Sequence, residues 1–270
     1  MLRAATLNPV RHYGLPVGLL RPGDPADFIV VDDLRDFRVR QTYIDGRLVA
    51  EDGRGRIERV PVAALNRFGA APKRVEDFHV PARGGAVRVI EALDGQLVTN
   101  ELHLSARAER GRLVSDVAAD VLQIAVVNRY ADARPGLGFV RGFGLKRGAI
   151  ASSVAHDSHN VVAVGTSDRE LCAAVNLLID SKGGLAVVDG GVVGVLPLEV
   201  AGLMSRHGDA VAEGYARLDR LARDLGSPLA APFMTLSFMA LLVMPELKLS
   251  DRGLFDGRAF RFVPLLADEG

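Results

Sequence analysis

Val161-Val-Ala-Val164, Ser167-Asp-Arg-Glu-Leu-Cys-Ala-Ala-Val-Asn-Leu-Leu-Ile179, Leu185-Ala-Val-Val188 and Val192-Val-Gly-Val-Leu196 follow one another with short breaks between them. The first is an apolar run of strand length, as expected for a strand buried on both faces. The second puts Leu171, Val175, Leu178 and Ile179 on one face of a helix. Ser167-x-x-Glu170 reads as a capping box, in which side chains satisfy backbone N–H groups left open by the first turn. Gly183-Gly184 ends the helix. The last two runs flank Asp189-Gly190-Gly191 and read as a hairpin. Strand, helix and hairpin in this succession predict a mixed α/β or α+β domain.

The same pattern extends in both directions. Val121 to Val127 is apolar except for Gln123 and suits a buried strand. Val87 to Ala92, Gln96 to Thr99, Gly138 to Gly142 and Ile150 to Ala155 are further strand candidates. Val211, Tyr215, Leu218, Ala222 and Leu225 mark a second amphipathic helix, closed by Gly226 and Pro228. The Met-rich run Pro232 to Met244 suits core packing. Residues 1–60 read differently, as short strands joined by tight turns. Ala26 to Val31 is expected to be a buried strand, and Arg38 to Ile44 and Arg47 to Ala50 pair across the Asp45-Gly46 turn. Three such strands leave too many open edges to stand alone, so a small partial β-sandwich is expected. A proline- and glycine-containing connector, 61–85, leads into the larger domain, 86–270.

Composition narrows the function. The 270 residues carry 33 basic and 33 acidic side chains, which gives no electrostatic footprint for nucleic acid or an anionic membrane. No apolar run is long enough to span a bilayer. Cys172 is the only cysteine, so no internal disulfide forms. Arg3, Arg11 and Arg21 precede the first acid, Asp24, as in a transit peptide, but serine is not enriched there and Pro9, Pro16 and Pro22 break an amphipathic helix. A cytoplasmic chain is expected.

The motif search excludes several chemistries. There is no G-x-x-x-x-G-K-[ST], no G-x-G-x-x-G, no C-x-x-C, no H-E-x-x-H and no H-x-H among His12, His79, His103, His156, His159 and His207. Polar residues concentrate between 128 and 160. His156, Asp157, His159 and Asn160 sit on a turn between two apolar runs, where binding groups gather. His156 and His159 could share a metal or a polar ligand, with Asp157 orienting an imidazole. The competing reading is a plain turn whose Asp and Asn bond their own backbone. Two histidines also fall short of a four-ligand structural zinc. Lys146 and Arg147 are either a solvated pair or an anion or purine-edge contact.

Three stretches together resemble the adenine deaminases, metal-dependent members of the amidohydrolase superfamily. They are Gly138 to Gly165, with Lys146-Arg-Gly-Ala-Ile-Ala-Ser-Ser-Val-Ala-His-Asp-Ser-His-Asn160 at its centre; Val195-Leu-Pro-Leu-Glu-Val-Ala-Gly-Leu-Met-Ser205; and Pro232 to Phe255, with Met244-Pro-Glu-Leu-Lys-Leu249. Residues 4–50 are similar to the segment that follows the barrel in that superfamily and returns to a small β-sandwich. The resemblance implies hydrolysis of adenine to hypoxanthine and ammonia in purine metabolism, at a manganese or iron centre in a (β/α)₈ barrel. The metal lowers the pKa of a bound water, and the resulting hydroxide attacks C6. The ligands are an H-x-H pair, a carboxylate, two further histidines and an aspartate on the last strand. This sequence aligns from just after that aspartate, so no metal ligand and no catalytic residue carries over. The implied protein is a C-terminal portion, inactive without a barrel, with adenine as the family substrate. It would work within a longer chain or beside a separate barrel chain, and a homo-oligomer is compatible with this. Asn128, Lys146, Arg147, His156, Asp157, His159, Asn160 and Glu246 are the candidates for lining or supporting the purine pocket. Two alternatives stay open. One is a non-catalytic purine-binding or assembly module using Asn128, Lys146, His156 and His159. The other is a small metalloenzyme using His156, Asp157 and His159.

Overall fold

The computed structural model describes residues 1–58, 60–61, 63–190 and 192–267. The chain divides into two compact units, Met1–Val62 and Ala63–Gly270, and it is α+β.

The smaller unit opens with two short helices, α1 (Leu2–Ala5) and α2 (Leu7–Tyr13), which bury no residue. This corrects the expectation that the prolines would keep this stretch from being helical. Pro9 falls in the first turn of α2, where its missing N–H has no helical partner to lose. Strands β1 (Phe28–Val31), β2 (Val39–Ile44), β3 (Arg47–Glu51) and β4 (Arg54–Gly55) form one antiparallel sheet in that order. Asp45 and Gly46 both have positive φ, 49° and 72°, the conformation a two-residue hairpin turn requires. β1 is not buried as expected: Ile29 is 45% and Val30 39% exposed, because a single sheet covers its strands only along their edges.

In the larger unit the short strands β5 (Val80–Pro81), β8 (Ala108–Glu109) and β9 (Arg112–Leu113) make a small sheet beside the main one. The main sheet has eight strands: β6 (Val87–Ala92), β7 (Thr99–Leu104), β10 (Val121–Val127), β11 (Gly136–Arg141), β12 (Ala149–Ser152), β13 (Val161–Gly165), β14 (Gly184–Asp189) and β15 (Val192–Pro197). Their order is β15-β14-β12-β13-β10-β11-β6-β7. Every pair is antiparallel except β11 with β6.

Both faces of this sheet are covered, which is why its central strands are almost entirely apolar. Successive side chains of a strand point to opposite faces. Leu122, Ile124 and Val126 of β10 therefore join one core, and Ala125 and Val127 join the other. The first core is closed by α4 (Gly208–Asp224), α5 (Pro232–Phe238) and the hairpin of β16 (Leu247–Ser250) and β17 (Gly253–Asp256), beside which β18 (Arg261–Phe262) pairs. The second is closed by α3 (Asp168–Asp180) and a 3₁₀ turn, Val75–Phe78. Gln123, the one polar residue of β10, is fully buried, and its amide donates to the Phe78 carbonyl. That bond satisfies the amide nitrogen, while Oε1 is buried without a partner. Among the described residues no helix is long and apolar enough to cross a membrane.

The cap of α3 forms only in part. The Ser167 hydroxyl accepts from Glu170 N at 3.3 Å, but the Glu170 carboxylate turns away to accept from Gly190 N at 3.3 Å. Ser167→Ala should therefore remove one cap bond, lowering stability by about 1 kcal/mol. Urea denaturation followed by circular dichroism measures this, and an unchanged midpoint would count against the assignment.

Candidate functional site

β10 and β13 are antiparallel with Val127 opposite Val161, so residues 128–130 and 156–160 meet at one end of the main sheet. Asn128, His156, Asp157, His159 and Asn160 come together there. Asn128 is committed to structure: its side-chain oxygen accepts from Tyr130 N (2.9 Å) and Ala131 N (3.1 Å), and its amide donates to Asp251 (2.8 Å). Buried Asn160 accepts from Arg129 N at 3.2 Å. His156 is tied by its backbone to Ser237 O (3.1 Å) and stacks on Phe238, centroids 5.0 Å apart. His159 has φ +52° and bonds back to Ala155 O at 2.7 Å. The two imidazoles lie 6.1 Å apart, and the Nδ1 atom of each is buried with no partner. Burial, then the Arg129 charge, then His156 hold His159 below its ordinary pKa, and Asp157 opposes them. Asp157 itself is exposed.

Lys146, Arg147 and Glu246 are elsewhere. β12 runs between Arg147 and the histidine turn, and four strand residues span about 13 Å. Lys146 is exposed, and Arg147 pairs with Asp189 at 2.7 Å. The amides of Gly142 and Gly144 already donate to Asp120 at 2.9 and 2.8 Å, so this glycine-rich stretch is no open cradle for an anion. Glu246 pairs with Arg258 at 2.5 Å and accepts from Glu101 N at 3.3 Å, beside the start of β7. The candidates expected as one group thus lie at two ends of the sheet, and Asn128, Lys146, His156 and His159 do not form a single purine site.

Sequence reasoning missed Arg129, although it lies beside Asn128 in the polar stretch 128–160. It is 4% exposed, and nothing in a chain of balanced charge marks one arginine as buried. Its guanidinium donates to Ala201 O (2.5 Å) and Tyr130 Oη (3.1 Å), and Tyr130 Oη donates to Ser158 O (2.9 Å). A cavity of about 410 Å³ was also missed; Ser152, Leu185, Leu196, Met204, Tyr215 and Phe233 are among its lining residues. They are scattered over 80 positions of sequence and form no motif. Lys248 is fully buried, donates to Leu97 O at 2.7 Å, and is pushed down to about 8 by burial.

These residues do not fit the metal centre that the resemblance implies. Catalytic centres of the zinc type use three protein ligands. Among the described residues no three His, Cys, Asp or Glu side chains converge. A ligating imidazole normally donates its second nitrogen to a fixed partner, and the buried Nδ1 atoms of His156 and His159 have none. The Arg129 charge would also repel a cation there.

Comparison with known proteins bears out the resemblance seen in the sequence. Residues 96–261 match the adenine deaminase C-terminal domain, and residues 1–49 match the amidohydrolase family. Adenine deaminase of Salinibacter ruber is 56% identical over 99% of this chain and 50% of its own length. That of Sulfurovum sp. is 55% identical over 97% of this chain and 48% of its own, and that of Borreliella burgdorferi 41% identical over the same shares. The chain spans about half the length of the curated relatives it matches. It belongs to the adenine deaminase family and carries that family's C-terminal domain.

Proposed function

We propose that this chain is the C-terminal part of an adenine deaminase, which converts adenine and water to hypoxanthine and ammonia in cytoplasmic purine metabolism. The match over residues 96–261, with relatives of that name aligned over 97–100% of the chain, carries this reading. The reaction needs a hydroxide near neutral pH and an acid for the departing amine. In the family, manganese or iron would supply the hydroxide by lowering the pKa of a bound water. Among the described residues no donor set for either metal converges, so on this reading the centre is built by other residues. The part we assign to this chain is support: the sheet end with Asn128, His156, Asp157, His159 and Asn160 backs the purine pocket.

Complementation tests the reading. The purified chain is mixed with the separately expressed first half of the Salinibacter ruber relative, loaded with manganese, and hypoxanthine formation is followed by absorbance. Turnover by the mixture, absent from either half, is expected. A folded, associated mixture that stays inactive would contradict the assignment.

A further inference from the structure

Arg129 is permanently charged and buried, and two of its nitrogens donate to neutral oxygens, the Ala201 carbonyl and the Tyr130 hydroxyl. Its Nε is buried and without a partner. Among the described residues no carboxylate lies within ion-pair distance of it, and a buried charge lacking a counter-ion is strongly unfavourable. The unpartnered Nδ1 atoms of His156 and His159 belong to the turn beside it. Asn160 and Ser158 tie that turn to Arg129 and Tyr130. Asp157, the turn's own carboxylate, is exposed, and among the described residues it has no ion pair.

We propose that Arg129, His156 and His159 bind a carboxylate. Its two oxygens offer about four lone-pair sites, enough for the Arg129 Nε–H and an imidazole N–H together. A monoanion balances the one guanidinium. A metal cation would face the arginine, and a neutral ligand would leave its charge uncompensated. Both imidazoles are half-buried while their Nδ1 atoms are fully buried, so entry of the carboxylate requires these rings to turn. This goes beyond support of the purine pocket, because adenine is uncharged at neutral pH.

The test uses the whole chain and follows the histidine ring signals by NMR, with sodium acetate titrated against sodium chloride of equal ionic strength. Saturable shifts of His156 and His159, and not of His12 or His103, are expected, and Arg129→Gln should abolish them. Because Arg129 also braces residues 201–202, His156→Phe is measured beside it; this keeps the stack on Phe238 and removes the nitrogens. Loss of one hydrogen bond there should weaken acetate by about fivefold. N-acetylglutamate N-methylamide identifies the source. Tighter binding than acetate assigns a polypeptide side chain as the natural occupant, equal binding assigns a free small acid, and both uphold the site. No shift beyond chloride, acetate binding unchanged in His156→Phe, or shifts caused by adenine but not acetate would each overturn it.

Discussion

Gly184→Ala is expected to destabilise the larger unit by more than about 3 kcal/mol, combining backbone strain with a clash that the sheet must open to relieve. Gly184 has φ +128°, a region that residues with a Cβ rarely enter. A Cβ there would lie 2.1 Å from the Leu196 carbonyl oxygen. Gly184 opens β14 opposite Pro197 of β15, so relief means parting these two strands. Its amide also accepts no slack: N donates to Ser153 Oγ at 2.7 Å, and its carbonyl accepts from Ser153 N at 2.9 Å. Gly190→Ala is the control, with φ +58° and no atom within 4 Å of the added Cβ. It should cost about 1 kcal/mol, the strain alone. Urea midpoints compare the two, and equal losses would refute the packing argument.

Lys248→Met should raise stability at pH 7, on the order of 2 kcal/mol after loss of the bond to the Leu97 carbonyl is counted. The folded pKa of Lys248 is about 8 against an ordinary value of 10.5, lowered by burial. Below pH 8 both folded and unfolded chains hold the proton, and the folded one bears the full desolvation cost. Between pH 8 and 10.5 the folded chain releases it first, so the lysine chain gains stability as pH rises. The methionine variant lacks this gain, and the two should converge near pH 10.5. Thermal midpoints across pH 7 to 10.5 measure it. Parallel profiles, or a methionine variant less stable at pH 7, would show that Lys248 is not held as a buried charge.

The legible part of the fold was the part dictated by periodicity. β10, β13, α3, the β14–β15 hairpin and α4 lie where their apolar patterns placed them. Pro232 to Met244 packs into the core through Phe233, Leu236, Met239 and Ala240. The pattern at 96–99 was placed too early, because β7 begins at Thr99. The 247–256 hairpin went unread: its strands are four residues each and one carries Lys248, a charge in a core position. The histidine turn was legible as a polar knot between apolar runs. Its separation from Lys146 was not, because sequence distance does not show that β12 carries the chain across the sheet between them. Arg129 was hidden for a related reason: its burial depends on Ala201, a contact 72 positions away.

On the proposed reading, deamination needs metal ligands that do not converge among the described residues of this chain. The most direct test is to incubate the purified chain, expressed in a host lacking its own adenine deaminase, with adenine and manganese or iron. No hypoxanthine above the blank is the predicted result. Hypoxanthine formed at a rate proportional to chain concentration would contradict it.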